Sequence, residues 1–196
     1  PDPHVQRAAV ELLSKFKDME TIERLIAARK KTPSFDSHMA YTIRLGLRNA
    51  LRSGKLMQEA AARQWSKEDA EVLSTVLAGV QVPESGLFLF NYVKNQDIPD
   101  EALPNAFLHI MRFIPSSMIG DAINTAMTKS QKNISLEYQT FRALQQGLDR
   151  KGEKETIQMQ EWGKKLAAAL IAKYKDGRTP DSVKTWDDLQ IFIKEP

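Results

Sequence analysis

The sequence predicts an all-α chain in which about five helix pairs stack as a solenoid, and three observations lead there. Apolar residues recur at three- and four-residue spacings along most of the chain, the periodicity of one buried helix face. Few segments alternate with period two, and no Asn-Gly or Asp-Gly turn joins two strand-like runs. The first helices of successive pairs are expected to begin near Pro3, Ser37, Ser66, Pro99 and Asn133, at intervals of about thirty to thirty-four residues. Helix pairs of that length stack because each hairpin has an apolar stripe that it cannot bury alone. The opening Asp2-Pro3-His4-Val5 also recurs thirty-four positions on as Asp36-Ser37-His38-Met39, and in that register Val5, Ala9, Leu13 and Phe16 fall on Met39, Ile43, Leu47 and Ala50. A compact bundle of the same amphipathic helices is the rival architecture, and the even spacing favours the stack.

Taken in order, the first helix is expected from Pro3 to about Phe16, with Asp2 as its cap and Pro3 at a position that needs no N–H bond. A break at Lys17-Asp18 leads into a second helix from Met19 to about Lys31, stopped by Pro33 and the polar cluster around it. The third spans about Ser37 to Arg52, with Ser53-Gly54 as its stop, and Leu56 to Gln64 makes a shorter partner ending near Trp65. Ser66 and Asp69 have the spacing of a capping box for the next helix, and Pro83-Glu84 opens its partner. After Pro99 a short turn and then a helix from Pro104 to Ile114 are expected, since Pro104 lies too far inside for a simple helix from Pro99. Pro115-Ser116-Ser117 restarts the chain, Asn133 or Ser135 caps a helix to about Arg150, and a last long helix runs from about Thr156 to Lys175. The segment 1–178 thus reads as the repeat domain, and 179–196, with a short helix near Thr185–Leu189, as a C-terminal cap or the start of a linker.

Bulk composition narrows the function by exclusion. With 42% hydrophobic and 27% charged residues among 196, the chain sits in the ordinary globular range. No apolar run reaches the ~20 residues that cross a bilayer. The absence of cysteine removes disulfides, thiolate nucleophiles, zinc–thiolate sites and c-type haem attachment. A net charge of +3, from 28 basic and 25 acidic residues, permits an anionic partner without demanding one. A start at Pro1 without an initiator Met suggests a processed product or a piece of something longer. There is no Gly-x-Gly-x-x-Gly, Walker loop, His-Glu-x-x-His or Gly-x-Ser-x-Gly.

Asp2-Pro3-His4-Val5-Gln6-Arg7-Ala8-Ala9 resembles the opening of a HEAT repeat, in which an Asp is followed by Val-Arg and small apolar residues; here Gln6 stands where the Arg would be and Arg7 comes one place late. The run from Phe35 to Leu51 is similar to the helical-repeat region of large exported bacterial proteins, where such repeats sit between a dehydrogenase-like propeller and a haem-binding cytochrome domain. The resemblance covers about the first third of the chain well and the rest by pattern. It implies a right-handed α–α superhelix of the HEAT/armadillo kind, a connecting or docking role, no activity or cofactor of its own, and an exported or periplasmic setting.

Candidate sites are few. Arg44, Arg48 and Arg52 recur every four residues and share a helix face, with Lys55 nearby; guanidinium groups so placed suit carboxylate or phosphate, although a solvated or internally paired face is the commoner role of such a stripe. Trp65, at a helix junction, is the tryptophan most suited to anchoring a partner, whereas Trp162 lies on one line with Leu166 and reads as core. His4 and His38 occupy equivalent places in adjacent repeats, but stacked helices stand ~8–10 Å apart, too far for two imidazoles to share zinc easily. His109, between Leu108 and Ile110, reads as a lone, partly buried histidine. The expectation is a non-enzymatic interaction or spacer module, whose partner is a protein or a neighbouring domain, with the ridge of second helices as its working surface. The alternative is a nucleic-acid-binding HEAT-like protein, similar to helical-repeat DNA glycosylases, using the arginine strip; the near balance of charges counts against it.

Overall fold

Side-chain caps decide where the helices begin. In the computed structural model, which describes residues 2–174, Asp2 accepts from the His4 N–H, Asp18 from Thr21, Asp36 from Met39, Ser66 from Asp69 and Asn133 from Leu136, at 2.7–3.1 Å. Each bond satisfies an N–H that the first helical turn leaves without a partner. The resulting helices are α1 (Pro3–Leu13), α2 (Met19–Lys31), α3 (Ser37–Leu51), α4 (Gly54–Ala62), α5 (Lys67–Leu77), α6 (Pro83–Asn95), α7 (Leu103–Phe113), α8 (Ile119–Ser130), α9 (Ile134–Lys151) and α10 (Ile157–Tyr174). Short 3₁₀ turns at Asp100–Ala102 and Ser116–Met118 precede α7 and α8; the first follows Pro99 as expected, and the second follows Pro115, where only a restart of the chain was expected. The described residues contain no strand, and none of their helices is long and apolar enough to cross a membrane. The helix expected at Thr185–Leu189, and the boundary at 178–179, lie outside the described residues.

Several boundaries differ from the sequence expectation, and α4 runs from Gly54 to Ala62 instead of Leu56 to Gln64. Helix α1 ends at Leu13 rather than Phe16, because the Ser14 hydroxyl bonds the Val10 carbonyl at 2.7 Å and Lys15 and Phe16 close i→i−3 turns instead of continuing the helix. Gly54 opens α4 and does not stop α3, and its φ is not positive. The left-handed glycine is Gly152 (φ 80°), which ends α9 in a Schellman turn: its N–H reaches the Asp149 carbonyl and the Glu153 N–H reaches Leu148.

The helices pack mainly against near neighbours in sequence, an arrangement compatible with a helical repeat. The partners α1–α2, α3–α4, α5–α6, α7–α8 and α9–α10 touch. So do the alternating helices α1–α3, α3–α5 and α7–α9 on one side, and α2–α4, α4–α6 and α8–α10 on the other. One apolar core runs from Val10 to Leu170 through all ten helices. Polar rungs join the second helices: Gln58 on α4 donates to Glu84 on α6 (2.8 Å), Lys94 on α6 pairs with Asp121 on α8 (2.7 Å), and Gln158 on α10 donates to Asn124 on α8 (2.6 Å). Helices α7 and α9 cross closely, and a Cβ at Gly147 would lie 2.7 Å from Met111 Cβ and 2.8 Å from the Leu108 carbonyl oxygen. Only a glycine lets the two backbones approach this far.

Helix α1 is the exception to burial. In the register that aligns it with α3, Met39, Ile43 and Leu47 are 6%, 0% and 0% exposed. On α1 Val5 and Leu12 are 63% and 58% exposed, Phe16 just beyond its end is 55% exposed, and Val10, at 8%, is the hydrophobic residue that α1 buries. The apolar stripe expected on α1 therefore exists, but most of it faces outward.

Candidate functional site

The four residues singled out in the sequence fall into three places. Arg44 and Arg48 lie on the side of α3 that faces α5, and with Tyr41 and Leu45 they form one wall of a groove of about 200 Å³. The other wall is the C-terminal end of α5 and the turn beyond it, namely Thr75, Val76, Ala78 and Gly79. Arg52 is the C-cap of α3, exposed and outside this groove. Trp65 lies in a separate hollow of about 290 Å³ between α2 and the α4–α5 link. The arginine groove is built by the first helices of two pairs, α3 and α5.

The arginine groove has an unusual electrostatic balance. Among the described residues no carboxylate pairs with Arg44, Arg48 or Arg52. The stem of Arg48 crosses Gly79 so closely that a Cβ there would stand 2.8 Å from Arg48 Cδ. Seated this way, Arg48 is half-buried and its Nε is shielded from water with no hydrogen-bond partner. Arg44 and Tyr41 stay exposed at the rim. Two guanidinium groups one helical turn apart thus line a small, partly apolar cleft with no carboxylate partner among the described residues.

The Trp65 hollow is the opposite case, because its charged groups are paired with one another. The indole N–H donates to the Ala60 carbonyl at 2.8 Å, and the Arg63 guanidinium lies 4.9 Å from the ring centroid. Arg63 pairs with Glu23 and Lys30 with Asp69, which tie α2 to the α4–α5 link and the start of α5. The Lys30 contact holds the Asp69 carboxyl below the usual carboxylate range, against the opposing effect of burial and with help from Ser66. Trp65 packs partly against the core and acts here as the centre of an internal brace. Sequence reasoning missed this setting because Glu23, Lys30 and Asp69 meet Trp65 only through packing between helix pairs.

A second pairing unseen in the sequence joins α6 to α7. Ser85 Oγ lies 2.6 Å from the carbonyls of Val80 and Val82 and 2.8 Å from His109 Nε2. The hydroxyl has one proton and two carbonyls that can only accept, so His109 donates its Nε2–H to Ser85. That direction is the reverse of the one a histidine uses to activate a serine nucleophile. Both residues are buried, at 0% and 4% exposed. Burial, then the nearby Arg112 charge, push the His109 pKa down to about 4. His109 is therefore a buried, paired, neutral histidine rather than the lone, partly buried one expected. His4 and His38 are both exposed, and among the described residues no group of three or more His, Asp or Glu side chains is placed to hold a metal ion.

Compared with known proteins, the chain has no significant match to a protein family, a curated protein or a solved structure.

Proposed function

We propose that this chain is a non-catalytic helical-repeat module, a right-handed α–α superhelix of the HEAT/armadillo kind, that serves as an interaction or spacer unit within a larger protein. The observation that carries the reading is the open apolar face of α1. Val5 and Leu12 are exposed where their equivalents on α3, Met39 and Gly46, are buried, and Phe16 beyond the end of α1 is exposed where Ala50 is buried, so these three side chains form the surface on which one more helix pair of the same design would sit. Covering these three side chains would contribute about 1–2 kcal/mol each. Neighbour-to-neighbour packing and the polar rungs between second helices support the same reading, since both are what a one-dimensional pile uses to set its spacing.

The test is sedimentation velocity over a range of concentrations, with dye binding to exposed apolar surface, on the chain and on a Leu12→Glu/Phe16→Glu variant. The expected result is concentration-dependent association and dye binding that the double variant abolishes while keeping its helical signal and melting temperature. A chain that stays monomeric without binding dye, or a variant that unfolds, would overturn the proposal.

A further inference from the structure

We infer that the groove between α3 and α5 is a docking site for an acidic peptide segment, with Arg44 and Arg48 taking side-chain carboxylates of the partner. This deepens the interaction-module reading, on which it rests, and it concerns a surface separate from the α1 face. Charge complementarity is the first argument. The two guanidinium groups are one turn apart, like charges at that spacing repel, and no carboxylate of the described residues offsets them. The second argument is the orphaned donor. Arg48 Nε is out of water and unbonded, and a carboxylate entering the groove supplies the acceptor it lacks. A guanidinium presents parallel N–H groups that match the two oxygens of a carboxylate.

The shape of the groove selects peptide over nucleic acid. Beside the arginines the groove is lined by Leu45, Val76, Ala78 and Gly79, which suit an apolar side chain next to the acidic one, a combination that a peptide offers and a sugar-phosphate backbone does not. Tyr41 stands at the rim, 64% exposed, with a hydroxyl to offer and a ring to cover the bound chain. Gly79 supports the site indirectly, since its missing side chain leaves the space in which the Arg48 stem rests.

The experiment is an NMR titration of the full, isotopically labelled chain with the peptide acetyl-Glu-Glu-Leu-Glu-Glu-amide, with its all-glutamine counterpart, and with a single-stranded DNA oligonucleotide. The acidic peptide is expected to shift the Arg48 Nε–H and the backbone amides of Thr75 and Gly79, and the glutamine peptide to leave them in place. Arg44→Gln should weaken binding by about tenfold, the loss of one charge-assisted hydrogen-bond pair; because Arg44 is exposed, this variant keeps the fold even if Arg48→Gln does not. Absence of groove shifts at millimolar peptide, equal shifts from the glutamine peptide, an Arg44→Gln variant that binds unchanged, or tighter oligonucleotide binding with a steep salt dependence would each overturn the inference. None of these outcomes alters association through α1, so the two proposals fail separately.

Discussion

Adding a single methyl group at Gly147 tests whether the α7–α9 crossing is as close as the structure places it. Alanine at this position puts its Cβ 2.7 Å from Met111 Cβ, 2.8 Å from the Leu108 carbonyl oxygen and 3.3 Å from Met111 Cγ. Non-bonded carbons settle at about 3.5–4.0 Å, so relief needs a backbone shift of nearly an ångström, and rotation of Met111 does not move its Cβ. Overpacking of this kind costs roughly 1–3 kcal/mol. Alanine returns about 1 kcal/mol of helix propensity, which leaves a net loss of up to about 2 kcal/mol and, for a chain of this size, a fall in Tm of up to about 8 °C. Gly54→Ala is the internal control. It starts α4, and a Cβ there meets nothing within 4 Å, so the same substitution should stabilise by about 0.4–1 kcal/mol. Urea melts of both variants read the opposite signs directly. A Gly147→Ala protein that gains stability, as Gly54→Ala does, would refute the close crossing.

Two further predictions concern buried polar groups. His109 is held neutral in the fold with a pKa of about 4, whereas in the unfolded chain it titrates near its ordinary 6.5. Between those values the unfolded state binds the extra proton, so stability falls as pH drops from about 6.5 to about 4, by up to about 3 kcal/mol. Urea melts across that window should show the decline, and His109→Gln should flatten it; an unchanged slope would mean that His109 is not the titrating group. The Trp162 indole donates to Glu137 at 2.7 Å and meets the Phe141 ring edge-on at 5.2 Å. Trp162→Phe should cost about 2–3 kcal/mol, and Glu137→Gln about 1; melts that show no loss for either would mean that the bond between α9 and α10 contributes nothing.

The features legible in the sequence are those set by short-range geometry. Asp2, Asp36, Ser66 and Asn133 cap their helices because a cap bonds an N–H two or three residues away, and the short turn expected between Pro99 and Pro104 is the 3₁₀ turn Asp100–Ala102. The all-helical architecture followed from the same periodicity. What the sequence withheld depends on which surface meets which. Periodicity marked the apolar stripe of α1 but does not say that Val5, Leu12 and Phe16 lack a cover. The arginine spacing placed Arg44, Arg48 and Arg52 on one face, but only the approach of α5, allowed by Gly79, separates Arg48 and Arg44 from Arg52. Ser85 and His109 lie 24 residues apart and meet through the packing of α6 on α7, a contact no local pattern encodes.

Native-state hydrogen exchange of the whole chain is the most direct test of helices stacked as a pile of neighbours. In such a pile the ends open without the middle. Amides of α1 and α2 should therefore exchange through local opening, at free energies well below those of α7 and α9, with intermediate helices graded between. A single protection free energy shared by all helices, unchanged by Leu12→Glu/Phe16→Glu, would show one cooperative core and contradict the repeat architecture on which the proposed function stands.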